Sequence, residues 1–175
     1  MATLVLPHDP SWMLAFSREA RALAAAVAPT VMALHHIGST AVPGILAKPV
    51  IDMLGETSCL RAFDLSSPRF EAMGYESMGA FGIEGRRYFR KSAADGTRTH
   101  HLHVYEVGSP QIARHLSFRD YLLAFPDRAA AYSALKARLV SGGSDGRATY
   151  QEAKAAFVAV LDAEAAAWRT STGRP

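Results

Sequence analysis

Leu34-His35-His36-Ile37-Gly38-Ser39-Thr40-Ala41-Val42-Pro43-Gly44-Ile45-Leu46-Ala47-Lys48-Pro49-Val50-Ile51-Asp52-Met53-Leu54 is the stretch on which the fold turns. It reads as a short buried strand from Val31 to His36, a sharp Gly-Ser turn, a compact loop with Pro43 and Gly44, and a second strand from Val50 to Leu54. Few side-chain atoms crowd the turn, so its backbone N–H groups can approach an anion such as a phosphate. Lys48 lies in the connection, and Asp52 lies inside the second strand. A carboxylate within Val50-Ile51-Asp52-Met53-Leu54 is costly to bury unless it meets a cation or a metal, and that conflict marks a candidate site. The plainer alternative is that Gly-Ser turns are common, and that a strand aspartate often ends at a sheet edge or caps a neighbour.

The surrounding composition is that of an ordinary globular domain. The chain has 175 residues, 49% of them apolar and 20% charged, which suits one domain with a substantial core. Its 19 basic and 16 acidic side chains leave a mildly positive balance that fits an anionic ligand. No dense Lys/Arg tract points to nucleic acid, and aromatics do not interleave with basic residues as single-strand binders require. Cys59 is the only cysteine, so no internal disulfide forms and a reducing, cytoplasmic setting is expected. The first nine residues lack the basic start and apolar run of a signal peptide, and no stretch is apolar enough to span a membrane.

Around the central stretch the elements alternate. Asp9-Pro10 opens a helix whose apolar face is Trp12, Phe16, Ala20, Leu23 and Val27. Gly55 to Ser58 reads as a turn into a helix through Leu60 and Phe63, broken at Ser66-Ser67-Pro68 and ended by Gly74. Residues 75 to 106 read as β structure, with strands over Arg86–Lys91 and Thr99–Glu106 joined through Asp95-Gly96. Gly79, Gly82 and Gly85 suggest a mobile loop over a site. Helices follow from Ser109-Pro110, past the Phe125-Pro126-Asp127 corner through Tyr132, Leu135 and Leu139, and from a cap at Ser144-Asp145 through Trp168. The tail from Thr170 is expected to fray. The whole is an α+β chain forming a single domain over 1–175, with a sheet-bearing core at about 30–107 and a helical half at about 109–169 packed on it.

Two further groupings carry chemistry. His101 and His103 share one strand face and, with Asp52 from a neighbouring strand, make a candidate metal site; imidazole favours zinc or another transition metal over magnesium. The alternative is that both imidazoles hydrogen-bond to phosphate or carboxylates. Arg86, Arg90, Arg114 and Arg119 with Lys48 are expected to converge beside Ser39, where guanidinium forks suit phosphate. The alternative is a solvated surface of ion pairs. A P-loop is excluded, because five residues separate Gly38 from Gly44 and Ile45 follows; no Gly-x-Ser-x-Gly elbow exists.

The string from His36 to Gly44, followed by Ala47 to Asp52, resembles the signature of the GrpB family. The resemblance resumes at His101 to Tyr105, Gly108-Ser109 and His115 to Leu122, and ends with Tyr132, Leu135-Lys136 and Tyr150 through Lys154 to Phe157. It implies a mixed β-sheet of nucleotidyltransferase-like type packed with helices. It also implies a site in which Gly38, Ser39 and Thr40 hold phosphates, with Lys48, Arg90, Arg114 and Arg119 offsetting their charge. There Asp52 binds a divalent ion (magnesium, manganese or zinc) together with His101 and His103, and His103 serves as ligand or base. Lys136, Tyr150 and Lys154 match the pattern but serve equally as helix-packing contacts. One departure stands out. Nucleotidyltransferases usually carry a second acid two residues after the first, on the same strand face; here that position is Leu54. The next acid on the face, Glu56, lies about 13 Å along the strand from Asp52, too far for a metal clamp about 4 Å wide. Three functions follow as expectations: nucleotidyl transfer to a small acceptor, binding of a nucleotide or phosphorylated metabolite without turnover, and metal-dependent hydrolysis.

Overall fold

The computed structural model describes residues 5–31, 33–141 and 146–173, with the side chains of 146–151 outside that description. Helix α1 (Ser11–Val27) starts where Asp9 accepts the Ser11 N–H at 2.8 Å, and it buries Trp12, Leu23 and Val27. Strands β1 (Ala33–Ile37) and β2 (Ile51–Thr57) flank a single 3-10 turn at Ser39–Ala41. Short helices α2 (Leu60–Asp64) and α3 (Ser67–Ala72) lead to β3 (Tyr75–Ser77), β4 (Arg87–Ser92) and β5 (Arg98–Glu106). Helices α4 (Pro110–Ala124), α5 (Pro126–Ser141) and α6 (Gly146–Thr172) complete the chain. Among the described residues no helix is long and apolar enough to cross a membrane.

The strands form one mixed sheet in the order β1-β2-β5-β4-β3, parallel between β2 and β5 and antiparallel elsewhere. Strand periodicity sorts its side chains onto two faces. Ile51, Met53, Phe89, Leu102 and Val104 turn one way, into the main core with Trp12, Leu23, Val27, Phe63 and Phe70 from α1–α3. Asp52, Leu54, Tyr88, His101, His103 and Tyr105 turn the other way, toward α4–α6. On that side Leu54 and Tyr105 pack with Ile37 and Ile112. The helices meet one another around Tyr121, Leu122, Tyr132 and Leu161, where the loop residues Val42 and Ile45 join them.

Two sequence expectations need correction. β2 does not stop at Leu54 with a turn from Gly55; it runs to Thr57, paired with β5 along its whole length and with β1 from Asp52 to Glu56. Gly55 is a strand residue because a Cβ there would stand 3.2 Å from Val104 Cγ2, so the space belongs to the neighbouring side chain. At the C-terminus helical structure continues past Thr170 to Thr172, whose hydroxyl donates to the Trp168 carbonyl at 3.0 Å. The expected cap at Ser144-Asp145 lies outside the described residues.

Candidate functional site

The site begins where β2 passes the Gly38 turn. Asp52 stands opposite Ile37 on β1 and opposite His101 on β5. Its Oδ1 accepts from His101 Nδ1 at 2.9 Å. Burial by itself would raise the Asp52 carboxyl, but the His101 hydrogen bond and the electrostatic pull of its basic neighbours, Lys154 among them, outweigh it and hold the group below its usual value. Asp52 is therefore a carboxylate at neutral pH. Gly38 lies directly against it: with φ +70° and ψ −170°, a Cβ there would fall 2.6 Å from Asp52 Oδ2. Only glycine gives both the conformation and the clearance.

Two chambers open from this carboxylate. One, of about 230 Å³, is lined by Ser39, Thr40, Lys48, His101 and Lys136. The other, of about 340 Å³, is lined by Ile37, His103, Arg114, His115, Phe118 and Tyr132. Asp52 and Lys154 line both, so they stand at the junction.

The smaller chamber is basic and built around a buried lysine. Lys136 donates to Ser39 Oγ at 3.0 Å and to the Leu46 carbonyl, and its ammonium lies 4.1 Å from the Tyr132 ring centre. Only 3% of the residue is exposed. Burial, and then the charge of Lys154, bring its pKa down to about 7. Thr40, also buried, shares a 2.9 Å hydrogen bond with His36 Nε2, and the His36 ring stacks on Phe16. Burial pulls His36 down to about 4, against the attraction of Asp52, so it is neutral there.

The larger chamber is more apolar. His103 stacks on Tyr88 at 4.9 Å, with Arg86 Nη1 3.5 Å from its Nδ1, and lies 5.7 Å from the His115 ring. Burial, in both cases the main cause, brings His103 and His115 down to about 4. Both rings are uncharged at neutral pH. Arg114 places Nε and Nη2 on Asp162 Oδ2 at 3.0 and 2.6 Å, which fixes that wall.

Of the residues expected from sequence, Gly38, Ser39, Thr40, Lys48, Asp52, His101, His103 and Arg114 line one chamber or the other. The five basic side chains do not meet beside Ser39. Lys48 reaches Ser39's chamber and Arg114 the other one. Arg86 holds its own loop through the Ala80 and Phe81 carbonyls, and Arg90 pairs with Glu76 at 2.9 Å. Arg119 spans Asp120 and the His36 carbonyl, bracing the end of β1. Lys136 and Lys154, which match the family pattern but read equally as helix-packing contacts, are the lysines beside Ser39 and at the junction, respectively; the Tyr150 side chain lies outside the described residues. Lys136 had a signal. It follows Tyr132 by four on the face that α5 buries, a charge at a core position just as Asp52 is on β2.

The side chains present do not make the metal clamp that the fold suggests. Leu54, at the partner position of Asp52, is fully buried among Ile37, Tyr105 and Ile112. Glu56 accepts from His35 Nε2 at 2.7 Å, at the far end of β2. His101 spends its Nδ1 on Asp52, and a guanidinium stands against His103. Among the described residues no group of three His, Cys, Asp or Glu could hold a metal ion.

The family model of the GrpB protein matches residues 3–164. The chain belongs to the GrpB family. This GrpB chain is similar to YqkA of Bacillus subtilis, 39% identical over 165 residues that cover 94% of this chain and 48% of YqkA. It thus spans about half the length of that relative. The crystal structure of the conserved protein GrpB from Enterococcus faecalis superposes with a TM-score of 0.86 at 40% identity, covering 93% of this chain and 96% of that one. A looser likeness joins the GrpB fold to Cid1 in complex with its short product ApU: TM-score 0.50, 10% identity, 75% of this chain and 40% of Cid1. That similarity shows a nucleotidyltransferase-like fold and nothing finer.

Proposed function

We propose that the cleft binds a nucleotide or another phosphorylated small molecule, with the phosphate in the Ser39 chamber and the organic portion in the Phe118 chamber. The observation that carries this reading is the contrast between two adjoining chambers that share Asp52 and Lys154. One offers Ser39, Thr40, Lys48 and Lys136; the other offers the faces of Phe118, Tyr132 and neutral His115. Anions prefer the first and rings or aliphatic groups the second, and the two together suit one small ligand better than a polymer. The nucleotidyltransferase-like fold supports transfer of a nucleotidyl group, but Leu54 in place of a second acid beside Asp52 favours binding without turnover.

Thermal unfolding in the presence of nucleoside mono-, di- and triphosphates and of sugar phosphates tests the reading. At least one should raise Tm, since a ligand at about 100 times its Kd adds roughly 2.7 kcal/mol, and the shift should vanish in Ser39→Trp. A flat response across the panel overturns it. Pyrophosphate release from any triphosphate, lost in Asp52→Asn, would move the assignment to transfer.

A further inference from the structure

We infer that Lys136 and Lys154 supply, from the protein itself, the positive charge that a carboxylate-held pair of divalent ions would otherwise bring to a phosphate at this site, so that binding is independent of metal. The inference rests on the reading of the cleft as a phosphate site and goes beyond it by naming the counter-charge.

Three observations converge on it. The place where a second metal-binding acid would stand is filled by buried Leu54, so a metal would find one carboxylate instead of two. Lys154 instead lines both chambers at the junction beside Asp52, and its charge is felt by Asp52 on one side and Lys136 on the other. Lys136 is held in place by Ser39 Oγ and the Leu46 carbonyl, so its ammonium needs no reorganisation to meet a ligand oxygen near Ser39. The charge balance agrees. Around the smaller chamber three lysines, Lys48, Lys136 and Lys154, face the single carboxylate of Asp52. A site built to hold divalent cations needs the opposite excess. A phosphate dianion placed there meets charge enough without an ion, and its arrival completes the protonation of Lys136, which stands at about 7 without it.

The arrangement inverts the expected role of Asp52. In a metal clamp this carboxylate attracts the ligand through the ion; beside Lys154 it repels the ligand and serves to orient His101. Removing its charge separates the two cases.

Calorimetric titration of the whole chain with AMP and with inorganic phosphate, in chelator and then with magnesium or manganese, provides the test. Both probes hold magnesium weakly, so the free concentrations stay comparable. Binding in chelator that neither ion strengthens more than about twofold, weakened roughly tenfold or more by Lys154→Gln, supports the inference. Lys136→Met should weaken it at least as much. Because that change strands the Leu46 carbonyl, it is read only if thermal unfolding shows a folded protein, and Lys154→Gln on a half-exposed helix face carries the result otherwise. Asp52→Asn should tighten both probes, by roughly tenfold for one charge removed at close range. Binding that appears only with a divalent ion and is abolished by Asp52→Asn overturns the inference while leaving the phosphate site standing. Absence of binding by both probes in every condition, with no nucleotide or sugar phosphate raising Tm, overturns the site and the inference together.

Discussion

Gly38 and Asp52 show how narrow the tolerances are at the level of single residues. The glycine conformation is one that side chains avoid at a cost of about 1–3 kcal/mol, and the carboxylate leaves no room for a methyl. Gly38→Ala is therefore expected to lower stability by at least roughly 2 kcal/mol, measured by urea unfolding, and to displace Asp52 from His101. The histidines predict a pH response. His36, His103 and His115 stand at about 4 when folded and at 6.5 as the ordinary value. Between those limits the unfolded chain takes up protons that the folded one refuses, so stability is full above 6.5 and declines as pH falls toward 4. Each ring contributes at most about 3 kcal/mol. Asp52, held low when folded, adds to the same acid loss as pH falls further. Tm measured from neutral to acid pH should fall through this window, and less steeply in His115→Phe. At this scale the sequence revealed Asp52 because a charge broke an apolar run. Lys136 breaks a helical face in the same way, but the helical reading rests on Tyr132, Leu135 and Leu139, of which α5 buries Tyr132, together with Ala129 and Lys136. The arginines misled for a different reason: a guanidinium reaches far, and Arg90 and Arg119 found carboxylates and a carbonyl nearer than the cleft.

Helices and strands were largely legible because their signals are local. Asp9-Pro10, Ser109-Pro110, Gly74 and Asp95-Gly96 each mark a boundary within a residue or two of where an element starts, stops or turns. β2 was cut short because Gly55 is read locally as a breaker, while its need arises from Val104 on another strand. The start of α4 matters to the site, since this helix carries Arg114, His115 and Phe118. Ser109 accepts the Gln111 N–H at 3.3 Å, with Pro110 in the first turn. Ser109→Ala should cost about 1 kcal/mol, seen as a lower urea midpoint with unchanged slope, whereas Ser109→Asp should retain most of the stability.

For the molecule as a whole, the strand pattern showed two sheet faces but not which strands would be neighbours. The parallel pairing of β2 with β5 joins segments separated by α2, α3 and two strands, and no local signal encodes it. That pairing sets His101 beside Asp52, so the adjacency of the site residues was the least readable feature and the identities of several were the most readable. The junction between the chambers has a consequence of its own. One of its posts, Asp52, belongs to an early strand, and the other, Lys154, to the final helix, about a hundred positions later in the chain. A growing polypeptide thus completes its sheet well before it owns a receptacle. A phosphate bound as proposed, reaching Lys154 from beside Ser39, ties that helix to the strand layer like a rivet through two plates.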